Sequence, residues 1–229
     1  MTDNAGPSGP LPETGRTILR RKRERGSRDQ RLLEAVLDEG LVCHVGFIAD
    51  HGPVVLPMTY ARLGPLLYLH GSSSNDLLRH LADGAPACVT VTLVDGLVYA
   101  RSAFHHSMNY RCVVLFGRAE RVSDPAEVRQ AAVALLEHLA PGRSADARAP
   151  TDQEVRATLV VRFPIVEGSV KVRTGGPVDD AEDLALDVWA GELPLRTLAM
   201  APVPDSEGPA VPGYINGHRL RSSTWPSDD

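Results

Sequence analysis

From Leu41 to Gly71 the chain reads LVCHVGFIAD, His51-Gly52, PVVLPMTYARL, Gly64-Pro65 and LLYLHG. Short β-branched and aromatic runs punctuated by Gly and Pro leave no room for ordinary helices. They predict three strands joined by tight turns. Strands that follow one another this closely pair antiparallel, because a parallel pair needs a crossover of a dozen residues or more. ACVTVTLVDGLVYARS continues the pattern as a strand, an Asp95-Gly96 turn and a further strand. RCVVLFGRAERVS adds one strand and EVRATLVVRFPIVEGSVKVRTGG adds two. Helices are predicted at 29–39, with Asp29 as cap and Gly40 as stop, in SSNDLLRHLADG, closed by Gly84, and at 125–139, opened by Pro125. Mostly antiparallel strands with a few helices between them predict a closed or nearly closed β-barrel with the helices outside. No G-x-G-x-x-G turn follows a strand, which argues against a dinucleotide-binding βαβ unit.

Composition narrows the function. The 229 residues are 43% hydrophobic and 23% charged, which suits one globular domain. We place it at 16–200, between tails rich in Gly, Pro and polar residues at 1–15 and 201–229. A net charge of −5 argues against a nucleic-acid partner. No apolar run approaches the roughly 20 residues that span a bilayer, so no membrane partner is expected. The first 30 residues lack a signal-peptide pattern, which predicts a cytoplasmic protein. Cys43, Cys88 and Cys112 each sit in an apolar run without zinc-site spacing and read as small core residues. Seven basic residues between Arg16 and Arg28 read as a solvated arm, or as one that meets a partner subunit or a phosphate.

The stretch SAFHHSMNYR, residues 102–111, carries the most chemistry. Histidine titrates near neutral pH, so His105 or His106 is a candidate proton donor or substrate anchor. Adjacent histidines on a strand point to opposite faces, so a zinc pair is not expected, and no metal-ion site is predicted. No nucleophile triad or paired-carboxylate site is visible, which favours chemistry borne by a cofactor.

RCVVLFGRAERVS resembles the strand Arg-Gln-Val-x-Val-x-Gly-x-Ala-Glu-Arg of the pyridoxamine 5′-phosphate oxidase family. CHVGF, LYLHG, LVDGLV, FHHSMNYR, KVRTGGP and VWAGELPL, in that order along residues 14–195, resemble its flavin-nucleotide-binding branch, which includes the nitroimidazole reductases. The resemblance implies an antiparallel FMN-binding split β-barrel, mainly β with helices. It also implies a homodimer with two flavin sites at the interface. The isoalloxazine ring would lie along Val55, Pro57, Met58, Thr59 and Tyr60, bound chiefly through the backbone. His70, Gly71, Ser72, Ser74, Asn75 and Arg79 would form the phosphate end, with Arg111, Lys171, Arg173 and Trp189 as further flavin contacts. The family's usual Arg-Lys at the phosphate is replaced by Asn75 and Asp76, and Cys112 stands where the oxidase has Gln. After Trp189 the chain lacks the Arg-x-His pattern that holds pyridoxal phosphate, so pyridoxamine phosphate oxidase activity is not expected. The implied function is an FMN-dependent oxidoreductase acting on a small molecule with NAD(P)H or a similar donor. The alternatives are a non-catalytic flavin-binding module, or the same barrel carrying haem, ligated by His105 or His106, or a deazaflavin.

Overall fold

The computed structural model describes residues 9–206 and 208–217; the remaining parts of the two expected tails lie outside the described residues. The strands are β1 (Gly26–Ser27), β2 (Val42–Ala49), β3 (Gly52–Thr59), β4 (Ala61–Leu63), β5 (Leu66–Ser72), β6 (Pro86–Tyr99), β7 (Ser107–Arg118), β8 (Glu120–Arg121), β9 (Thr158–Pro164), β10 (Gly168–Arg173) and β11 (Gly191–Pro194). The helices are α1 (Gln30–Glu39), α2 (Asp76–Ala82), α3 (Pro125–Leu139), α4 (Asp152–Ala157) and α5 (Gly213–Asn216). Every pairing is antiparallel. The strands do not close into one hydrogen-bonded cylinder. They form a seven-stranded sheet in the order β1-β10-β7-β6-β2-β3, with β11 also on β6, and a four-stranded sheet in the order β4-β5-β9-β8. This is a split barrel with its core between the two sheets and under α1 and α2, where Leu33, Leu37, Leu69, Leu78, Val113 and Phe163 are fully buried.

The helix signals hold. The Asp29 side chain accepts from Arg31 N, Asn75 from Leu78 N and Asp124 from Ala126 N, each filling a donor left open at a helix start. The short helix α4 was not legible as such. Thr151 and Glu154 cap it reciprocally, and Arg148 with the Thr151 backbone holds the Glu154 carboxyl down at about 2.

The strand reading needs three corrections. The Leu41–Gly71 region holds four strands, not three, because Tyr60 breaks the run between β3 and β4. Its side chain is fully buried and its hydroxyl donates to Leu37 O at 2.6 Å, so the chain turns there from one sheet into the other. Asp95-Gly96 is not a hairpin turn. β6 runs straight through it, with a bulge between Val94 and Gly96. The VWAGELPL segment, to which the sequence reading assigns no strand, contains β11, which pairs with Gly96 to Tyr99 of β6. Part of the expected N-terminal tail also packs. Leu11 joins the core, its N–H donates to Arg28 O at 3.1 Å, and Thr14 and Arg16 both bond Glu167.

Gly40 closes α1 with φ −70°, so conformational freedom does not explain it. Space does: a Cβ there would stand 2.4 Å from Val91 Cγ1 and 2.8 Å from Tyr60 Oη. The His138 ring bonds Gly40 O at 2.7 Å and lies 5.0 Å from the Tyr60 ring, which fixes the junction from a third side. Gly40→Ala is therefore expected to lose about 1–3 kcal/mol by overpacking in urea unfolding. A gain of about 0.5–1 kcal/mol, the usual result where Ala is tolerated, would show that the junction has room.

Candidate functional site

The candidate residues do not meet at one place. Val55 and Pro57 lie on β3, the last strand of the large sheet, with their side chains exposed. Their partners across β2 are Gly46 and His44. Met58 is half-buried against the core, Thr59 is half-buried, and Tyr60 is wholly engaged at the α1 junction. The second sheet carries the neighbouring set. His70, Gly71 and Ser72 end β5, and Ser72 Oγ lies 2.8 Å from Ser74 Oγ. Asn75 is spent on the α2 cap. Arg79 donates through Nε to Ser73 O at 2.9 Å and faces Asp76 at 3.8 Å, so its charge is already partly matched. His70 shares a small apolar recess of about 50 Å³ with Val128, Leu135 and Val160, and desolvation lowers its pKa below 6.5.

His106 and Trp189 gather around Tyr99 at the far end of β6 and β7, with His105 in the turn beside them, whereas Arg111, Lys171 and Arg173 sit along the middle of the sheet, level with Leu93, Thr92 and Val94 of β6. His44 pairs with Thr90, whereas Tyr99 lies nine residues further along β6. At about 3.3 Å per residue, this separates the two groups by on the order of 25–30 Å. Arg111 is 6% exposed and fully committed. It donates to both Glu39 oxygens at 2.5 and 2.8 Å and to both Asp95 oxygens at 3.0 and 2.6 Å. Arg111, expected as a flavin contact, forms a clamp that joins the end of α1 to the β6 bulge. These bonds, Glu39's first, raise its pKa further above the ordinary arginine value. Arg173, also 6% exposed, donates to Asn109 and to the carbonyls of Gly175 (2.8 Å) and Gly176 (2.9 Å). Asn109 donates in turn to Glu192 on β11 at 2.5 Å. Lys171 stays half-buried opposite Cys112.

His105 and His106 do not lie on a strand. They end a single 3₁₀ turn, Ala103–His105, before β7. His105 Nε2 faces Asp180 at 3.1 Å, and Asp183 is close enough to form a His-Asp-Asp group. His106 donates through Nδ1 to Ser102 O at 2.9 Å and meets the edge of Tyr99 at 5.8 Å between centroids. Trp189, 69% exposed, lies 5.8 Å from the same Tyr99 ring. Sequence reasoning missed Glu39, Asp95, Tyr99 and Glu192. The charged three, Glu39 at the end of α1, Asp95 on β6 and Glu192 on β11, are partners of Arg111 and Asn109 between 16 and 83 positions away in the chain, which no local pattern reports. Tyr99 was readable as a strand residue, but its face depends on the bulge.

Two outcomes follow. Arg111→Met leaves two carboxylates partly buried and unmatched, and should cost about 3 kcal/mol, below the upper end for interior pairs because Asp95 keeps 34% of its side-chain exposure. Adding Glu39→Gln and Asp95→Asn should recover much of that in denaturant titrations; no recovery would show that Arg111 acts through packing alone. For His70, the unfolded state binds the proton more readily, so stability present above about pH 6.5 falls as pH drops toward the lowered native pKa. His70→Gln should flatten the stability profile in that window, measured by melting temperature against pH.

The structure resembles known ones closely. Flavocytochrome Anf3 from Azotobacter vinelandii is 38% identical, with 91% of this chain and 98% of that one covered and a TM-score of 0.85. The FAD and haem binding protein from Mycobacterium smegmatis is also 38% identical, over 84% of this chain and 96% of that one, with a TM-score of 0.80. A putative 5-nitroimidazole antibiotic resistance protein from Bacteroides thetaiotaomicron shares the fold at 24% identity, 64% and 86% coverage and a TM-score of 0.54. No curated protein matches. No helix among the described residues is long and apolar enough to cross a membrane. The model of the pyridoxamine 5′-phosphate oxidase family matches residues 29–172, and the chain belongs to that flavin-binding family.

Proposed function

We propose that the protein is a flavin-dependent oxidoreductase that also carries haem, acting in the cytoplasm as a homodimer on a small molecule with an NAD(P)H-type donor. The observation that carries this reading is the division of the candidate residues into two groups of opposite character. The β3–β5 group offers a strand edge and serine hydroxyls, the surface expected for a polar ring edge and phosphates. The group at the end of β6 and β7 offers Tyr99, Trp189, Met108 and one histidine nitrogen without a partner among the described residues, the surface expected for an apolar macrocycle. Two relatives at 38% identity are described as a flavocytochrome and as an FAD and haem binding protein, which favours the same pair of cofactors here.

FMN is the flavin implied by the sequence resemblance. We take FAD instead. Arg79 is tied to Ser73 and Asp76, so a terminal phosphate with nearly two charges would lack a free cation, whereas each phosphate of a diphosphate bridge carries one. The flavin, when bound, supplies the hydride and electron chemistry. The chain's part is to bind the ring along Val55–Thr59 through backbone groups and to seat phosphate oxygens on Ser72 and Ser74. A second copy is needed to cover the exposed apolar residues on β3 and on and around β11, including Val55, Trp189, Leu193 and Leu198.

The purified protein should show flavin bands and a Soret band together, release FAD on denaturation, and lose flavin absorbance when NADH or NADPH is added without oxygen. A protein that binds no flavin overturns the reading. FMN as the released flavin would overturn the choice of FAD alone. Flavin that stays oxidised with every donor tried would favour a non-catalytic module.

A further inference from the structure

We propose that His106, and not His105, is the axial ligand to the haem iron, through Nε2, on the face built from Leu97, Tyr99, Met108, Trp189 and Leu193. The assignment rests on the haem reading given above and names the atom that would hold the iron. Ligation needs a neutral imidazole with one nitrogen lone pair directed at the metal and the other nitrogen fixed by a hydrogen bond. Ser102 O can only accept, so His106 Nδ1 carries a proton, and the neutral ring is held in the tautomer whose lone pair is on Nε2. Nε2 has no partner among the described residues. The Tyr99 ring also packs against His106, at 5.8 Å between centroids and 77° between planes. His105 fails on the same criteria, because its Nε2 is occupied by Asp180 and its neighbourhood is acidic. His80 also fixes Nδ1 on a backbone carbonyl, Asp76 O, but its ring packs on Phe47, which pairs with Ala87 at the opposite end of β6 from this face, while buried His138 gives Nε2 to Gly40 O.

The surroundings fit a porphyrin. Paired residues on neighbouring strands share a sheet face. Leu97 pairs with Met108 and also with Leu193, and Tyr99 pairs with Gly191, against whose missing side chain the Trp189 ring rests. Met108, Leu193 and Trp189 are 46%, 48% and 69% exposed, so this face offers apolar area rather than a filled core. Just beyond Tyr99 in the chain, Ser102 Oγ and Arg101 Nε are buried polar atoms without a partner among the described residues, of the type that pairs with a carboxylate at a macrocycle's rim.

The test is spectroscopic and uses full-length protein expressed with excess haem precursor. His106→Gly should lose the wild-type Soret position and bind haem at least tenfold more weakly, with flavin content and far-ultraviolet circular dichroism unchanged; added imidazole should restore the spectrum. His106→Cys should move the absorption and electron paramagnetic resonance signals to those of a thiolate ligand, a change that a purely structural role would not produce. An unaltered Soret band in both variants, or a loss that follows His105→Ala instead, overturns the assignment while leaving the haem reading intact. Wild-type protein that takes up no haem overturns both.

Discussion

The double ion pair of Arg111 is the constraint on which the rest of the large sheet depends. One guanidinium on β7 grips Glu39 at the end of α1 and Asp95 in the β6 bulge. The bulge adds one residue to β6, and a one-residue shift moves every later side chain to the opposite face. Before it, Val91 faces the core and Thr92 faces out; after it, Val98 is buried while Leu97 and Tyr99 look outward beside Met108. The clamp therefore decides what the far end of the sheet displays. The buried charge of Arg111 holds the geometry that presents other residues.

Much of the fold was legible. Period-two runs, capping residues and turn glycines located the long strands and the three helices α1, α2 and α3, because each is a local signal, whereas the short β1, β4, β8 and β11 and the short α4 and α5 were not read as elements of their own. What was not legible was non-local. Asp95-Gly96 has the chemistry of a two-residue turn, and only the pairing of β7 and β11 on either side of it shows that the strand continues. Tyr60 looks like a strand residue until its hydroxyl is seen on Leu37 O. At the site, residue types pointed to His105 and His106, but not to their division of labour. Asp180 lies 75 positions beyond His105 in the chain, and Ser102 only four before His106. The near contact was readable in principle, and the far one was not.

The separation of the two candidate groups reframes the family pattern. A single chain cannot bring Val55 and Trp189 to one flavin, since most of the length of β6 lies between them. Either each group serves its own cofactor, or a second chain supplies what the first lacks. Both arrangements keep the apolar end of the sheet out of water, and they differ in whether electrons must cross from one subunit to the other.

β11 has a consequence of another kind. Along Gly96–Tyr99, β6 has β7 on one side, and without β11 its other side would be an open row of backbone donors and acceptors. Four residues near the end of the domain, fastened by Glu192 to Asn109, close that row. The opposite limit of the sheet, β3, is blunted differently, by Pro53 and Pro57, which offer no donor for another strand to join. A chain clipped between Gly176 and Gly191 would keep its core and its prolines yet expose a fresh edge. Its first failure would be self-association through that edge, with unfolding only afterwards.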